Sequence, residues 1–190
     1  NSLKANYSKH DIGEAYFTGR MNQLGYDVEN WGIDMRDDDG EDGVIFDNKM
    51  DLRMWDGDTL VGICDIKTKS SMSWMGNFNL RHLAHYAHWA DEYDVPVFVY
   101  FTIVDIDDES VGDTNIVLPI EPWDGYEEYV RHYTKSGEDE WYYIDTTGIE
   151  DECPYVQRSF GSDDSNIVVV TDDEYYKGFE WVEARLREQR

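Results

Sequence analysis

The run VIFDNKMDLRMWDGDTLVGICDIKTK, residues 44–69, decides how this chain is read. Val44–Trp55 and Thr59–Lys69 have the composition of two extended arms, and the DGD between them carries the Asp-Gly signal of a tight hairpin turn. The arms are expected to pair antiparallel, with Asp51 inside the first and Asp65 and Lys67 near the end of the second. Residues 65 and 67 differ by two, so in a strand both side chains leave one face while Ile66 points the other way, into the core. Two carboxylates held close raise each other's pKa, and an ammonium or a divalent cation between them relieves the conflict. A few hard oxygen ligands, with positions left for water and phosphate, suit Mg²⁺ or Mn²⁺. The plainer alternative is an ordinary cross-strand ion pair among Asp51, Asp65 and Lys67.

Working outward, Ser8 reads as the N-cap of a first helix over Lys9–Leu24 that Gly25 stops. GYDVENWG (25–32) reads as a short strand, and RDDDGEDG (36–43) as a solvated acidic loop without the alternating ligands of a calcium-binding loop. FNLRHLAHYAHWADEY (78–93) places Leu80, Leu83, Ala84 and Ala87 at the spacing of an amphipathic helix, ended by Asp94 and Pro96. VPVFVYFTIVD (95–105) is apolar enough for a central strand buried on both faces, and TNIVLPI (114–120) reads as another strand. From 121 to 165 the pattern loosens, with DGYEEYVRHY (124–133) read as helical and EWYYIDTT (140–147) as extended. NIVVV (166–170) reads as a strand, and Thr171–Glu174 as a capping box opening a final helix to about Glu188. The sum is an α/β sandwich.

The chain has 190 residues, enough hydrophobic content (41%) for one domain with a sizeable core, and a formal net charge of -26. Acid is spread along the whole chain, Asp outnumbers Glu 26 to 16, and there are only seven lysines. That profile fits a surface adapted to concentrated salt, where at ~1 M the Debye length falls to ~3 Å and self-repulsion is screened. A DNA mimic is the rival account of the charge. No apolar run approaches the ~18 residues of a membrane span, and no secretion signal opens the chain, so a soluble, cytoplasmic protein without a membrane partner is expected. Cys64 and Cys153 lack metal or redox spacing; one bridge between them is the alternative to the preferred reading of two reduced, buried thiols.

Asp51, thirteen intervening residues, then Asp65-Ile66-Lys67 resembles the catalytic core of the PD-(D/E)xK nuclease superfamily. The order of elements is similar too, and Glu14 stands where that family carries a first-helix glutamate. HLAHY (82–86) resembles the QLxxY signature of RecB-like members, with His82 in place of the glutamine, and Met50 stands in place of the motif proline. The likeness covers residues 8–105. It implies a restriction-endonuclease-like α/β core: a central mixed β-sheet flanked by helices in α-β-β-α-β order. A single nuclease-like domain would span 1–190, with its core at about 8–118 and 165–188 and an elaboration at 121–165. It implies Mg²⁺-dependent hydrolysis of DNA, with Mn²⁺ able to substitute. Asp51, Asp65 and the Ile66 carbonyl would bind the cation, Glu14 would hold a second ion or a water, and Lys67 would orient the attacking water. Lys69, Ser70 and Ser71, with Arg81, would meet the DNA, and His82 would either contact a phosphate or leaving group there or be a plain surface or packed histidine. Many members pair two chains to cut both strands, so a homodimer is among the implied partners. With the composition, the resemblance points to a salt-loving cell or a virus infecting one. The competing expectation is a non-enzymatic acidic module, a degenerate nuclease fold or DNA mimic, binding DNA-processing proteins.

Other features weigh less. His82, His85 and His88 recur every three residues, which spreads them over ~120° of helix surface, too far for one zinc ion. His10, one turn before Glu14, is placed either to reach the same site or to lie near the helix start, and the second reading is preferred. Tyr86 is read as structural, and the aromatics from Trp123 to Tyr143 as a secondary core rather than a base-stacking platform. Nothing resembles a nucleophilic triad, a phosphate-binding GxxxxGK[ST] loop or a dinucleotide GxGxxG.

Overall fold

The computed structural model describes residues 3–32, 49–79, 82–134, 140–144, 156–158, 167–170 and 176–190. Helix α1 (Leu3–Gln23) leads into β1 (Asp27–Asn30), followed by the hairpin of β2 (Leu52–Asp56) and β3 (Thr59–Lys69). Short β4 (Asn77–Asn79), helix α2 (His82–Glu92), β5 (Val97–Asp105) and β6 (Ser110–Ile120) come next. Beyond them lie β7 (Val130–Thr134), β8 (Glu140–Ile144), β9 (Val156–Arg158), β10 (Ile167–Val170) and helix α3 (Phe179–Glu188). The main sheet has the order β1-β2-β3-β5-β6. Its β3–β5 pair is parallel and its other pairs antiparallel, so the sheet is mixed. Two smaller sheets, β4-β10-β9 and β7-β8, complete the described strands. The α/β class and the helix, hairpin, helix, strand order are those expected.

The hairpin turns as its sequence demands. Asp56 pairs with Thr59 around a two-residue loop, and Gly57 takes φ 59, a conformation that costs glycine nothing. A bulge between Met54 and Trp55 leaves Val61 as the extra residue of β3. Beyond it the faces alternate cleanly: Ile63 packs on one side of the sheet, and Cys64 and Ile66 on the other. In β5, Val97, Val99 and Phe101 join the first side and Phe98 and Tyr100 the second, so this strand is buried on both faces as expected. Tyr86, Ala87 and Trp89 of α2 cover the first layer, while Phe17 and Met21 of α1 and Phe179, Val182 and Leu186 of α3 cover the second. Among the described residues no helix is long and apolar enough to cross a membrane.

Several expectations need correction. Helix α1 begins at Leu3, so Ser8 lies inside it rather than capping it. It does stop where expected: Tyr26 N–H bonds to Met21 and Gly25 N–H to Asn22, with Gly25 at φ 92, the Schellman arrangement. Asp51 stands just ahead of β2 rather than inside it, because its polar groups bond into β3 instead of joining the ladder. Phe78 belongs to β4 and α2 starts only at His82. Only one 3₁₀ turn, Tyr126–Tyr129, forms where a longer helix was expected, and the following VRHYT is a strand, as its β-branched and aromatic residues favour. Helix α3 starts at Phe179 with Gly178 as its cap. The expected capping box at 171–174, the acidic loop at 36–43, Leu80, Arg81 and Cys153 lie outside the described residues. Cys64 is buried as a free thiol, and Trp123 and Tyr126 are buried in the main core.

Candidate active site

Strand β3 presents Asp65 and Lys67 on the α2 side, opposite Ile66, which is buried under α1. Asp51 binds into this strand twice. Its N–H donates to Asp65 Oδ1 at 2.7 Å, and its Oδ2 accepts the Ile66 N–H at 2.8 Å. This reciprocal pair fixes the two carboxylates side by side. Tyr86 of α2 donates its hydroxyl to Asp65 Oδ2, and Lys67 Nζ lies 3.6 Å from the same oxygen. Burial, followed by the charge of Asp51, pushes the Asp65 carboxyl up to about 6, against the opposing pull of Lys67 and the two donors.

From the other side of the sheet α1 brings His10 and Glu14, one helical turn apart. His10 Nε2 lies 3.1 Å from Asp51 Oδ2, and its Nδ1 lies 3.6 Å from Glu14 Oε2. Gly13 permits this approach: a Cβ there would stand 2.4 Å from Thr68 Cγ2 and 3.3 Å from Thr102 Cγ2. Burial works against the charged imidazole, but the hydrogen bond and charge of Asp51 and the charge of Glu14 outweigh it and hold His10 above its ordinary pKa. Burial likewise works against the Asp51 carboxylate, yet His10, Lys67 and the Ile66 N–H hold it below its ordinary value. Asp51 is thus the hinge of the site, joined to β3 on one hand and to α1 on the other.

His10, Glu14 and Asp51 each offer one ligand atom, all within 4.8 Å of one another. Two carboxylate oxygens and an imidazole nitrogen form a donor set that fits a divalent cation. Of the residues expected as ligands, Glu14 and Asp51 belong to this group. Asp65 stands beside it with its oxygens turned to the Asp51 N–H, Tyr86 and Lys67, and Ile66 takes part through its N–H. His10 takes the less favoured of its two sequence readings: it reaches Asp51 rather than lying idle at a helix start, as its one-turn spacing from Glu14 allowed. Tyr86 is more than a structural ring, since its hydroxyl closes on Asp65. Ser70 Oγ accepts from Lys9 Nζ at 2.9 Å, a lysine the sequence reading passed over. Ser71 pairs with Ser73 at 2.9 Å, within its own loop. The His82 ring stacks on Tyr86, with centroids 5.1 Å apart and planes 6° from parallel.

No family model and no curated protein matches the chain. Among solved structures it is similar to Archaeoglobus fulgidus Hjc, a Holliday junction resolvase from an archaeal hyperthermophile. That likeness has a TM-score of 0.37 at 10% identity and covers 70% of this chain and 87% of that one.

Proposed function

We propose that this chain is a divalent-cation-dependent deoxyribonuclease that hydrolyses phosphodiester bonds and works in concentrated salt. One observation carries the reading: Asp51 ties Asp65 and Lys67 of β3 to His10 and Glu14 of α1 in a single cluster. A merely structural ion pair needs two of these groups. A nearly buried aspartate raised to about 6 beside a second carboxylate is the kind of perturbed group that active sites carry.

His10, Glu14 and Asp51 would hold the cation, with Asp65 as the adjoining carboxylate. A bound Mg²⁺ or Mn²⁺ supplies Lewis acidity toward a phosphate oxygen and lowers the pKa of water. Lys67 puts its ammonium beside Asp65, where it orients the attacking water and steadies the charge that develops on the phosphate. Tyr86 fixes the Asp65 rotamer, so the carboxylate and the ammonium keep their mutual orientation. In a chain of net charge -26, the cation and the nearby lysines must offset the repulsion that a DNA strand meets.

The test is incubation of linear, circular and branched DNA at high KCl with Mg²⁺, Mn²⁺ or EDTA. Cleavage is expected with either cation and none in EDTA, and Asp65→Ala or Lys67→Ala should abolish it while circular dichroism stays native. Intact DNA under every condition, or undiminished cleavage by the variants, would refute the reading.

A further inference from the structure

The chain has seven lysines among forty-two acidic residues, yet Lys9, Lys67 and Lys69 gather around the end of β3. Lys67 and Lys69, two apart, leave the same face of the strand. Lys9 comes from α1 on the opposite side and reaches Ser70, the first residue past the strand, through its 2.9 Å hydrogen bond. Burial, then the charges of Lys67 and Lys9, hold Lys69 well below its ordinary pKa, at about 8. Ammonium groups crowded in this way repel one another. A polyanion brought to the strand end turns that repulsion into attraction.

The division of labour follows from position. Lys67 is engaged with Asp65 at the cation cluster. Lys69 lies two residues farther on, about 6.6 Å along an extended strand, which is the scale of one nucleotide step. We propose that Lys9, Lys69 and Ser70 form a second phosphate subsite, which holds the internal phosphodiester next to the scissile one on the same DNA strand. The subsite rests on the nuclease reading for its substrate, and its lysines can be tested apart from cleavage.

The experiment is fluorescence anisotropy of a labelled single-stranded oligonucleotide, titrated with the full chain in Ca²⁺ over a series of KCl concentrations. The double variant Lys9→Gln/Lys69→Gln should bind about tenfold more weakly. Its slope of log affinity against log [KCl] should be shallower by about 1.4, from two lysines at about 0.7 each. Arg185→Gln, on α3, should change neither, and strands with a 5′-hydroxyl and a 5′-phosphate should lose affinity alike. Unchanged affinity and slope in the double variant, no binding by the wild-type chain, or a loss confined to the 5′-phosphorylated strand would overturn the subsite. Lysine-dependent binding without any cleavage in Mg²⁺ or Mn²⁺ would uphold the subsite and refute the nuclease reading instead.

Discussion

Burial, followed by the charge of Asp51, keeps the proton on the Asp65 carboxyl up to about 6, against an ordinary value of 3.8 and against the opposing pull of Lys67, Tyr86 and the Asp51 N–H. The folded chain therefore binds this proton more tightly than the unfolded chain does. Stability is unaffected by it below about pH 4, falls as pH rises from 4 to 6, and stays reduced above that, by about 3 kcal/mol at most. Asp65→Asn removes the burden while keeping an acceptor for the Asp51 N–H. Urea denaturation of cation-free protein should show the variant more stable than wild type at pH 7 and equal to it at pH 4. A gap that is constant over this range would mean that Asp65 is not perturbed. His10 adds a second prediction: an imidazole nitrogen suits a first-row transition cation better than it suits Mg²⁺. Mn²⁺ should activate cleavage at lower concentration than Mg²⁺, and His10→Ala should narrow that difference. Equal cation dependence in variant and wild type would remove His10 from the ligand set. Asp65 and Lys67 were legible in sequence because strand alternation fixes their shared face. Lys9 was not, and the one-turn spacing of His10 from Glu14 left its role open, since both depend on how closely α1 approaches β3.

That approach is a property of elements, and Gly13 controls it. Gly13→Ala would force a methyl to within 2.4 Å of Thr68 Cγ2 and move α1 off β3. A shift of ~1 Å at a catalytic group can cost ~100-fold in rate, so a loss of at least tenfold in cleavage is expected. Thr68→Ser deletes the opposing methyl and should recover part of it in the double variant; additive losses would place the effect elsewhere. Gly19 is the contrast, with nothing within 4 Å of its notional Cβ, and Gly19→Ala should stabilise by up to about 1 kcal/mol without changing the rate. The hairpin and β5 could be read from sequence because turn chemistry and an unbroken apolar run are local signals. The starts of α1, α2 and α3 could not. Ser8 is tolerated inside a helix whose first turns extend beyond it, Phe78 is claimed by pairing with Val168 of β10, and Lys177 is drawn into a bridge with Val117 before α3 begins. Each of those outcomes is set by a partner distant in sequence.

For the molecule as a whole, the mixed sheet places the end of β3 between layers built by α1 on one side and α2 on the other. The site therefore draws on both faces of the sheet through Asp51. Its surroundings carry a net charge of -26, whose self-repulsion screening relieves. The melting temperature of cation-free protein should rise steadily with KCl; a flat or falling dependence would leave the acidity without a salt-adaptive account. High salt also suppresses loose cation uptake by the many surface carboxylates, which makes it the right condition for the decisive measurement. That measurement is calorimetric titration of Mn²⁺ into wild type and Asp51→Asn at high KCl. One specific Mn²⁺ per wild-type chain, lost in the variant, is the result expected if His10, Glu14 and Asp51 form a cation site. No specific uptake, or the same isotherm for both proteins, would contradict it.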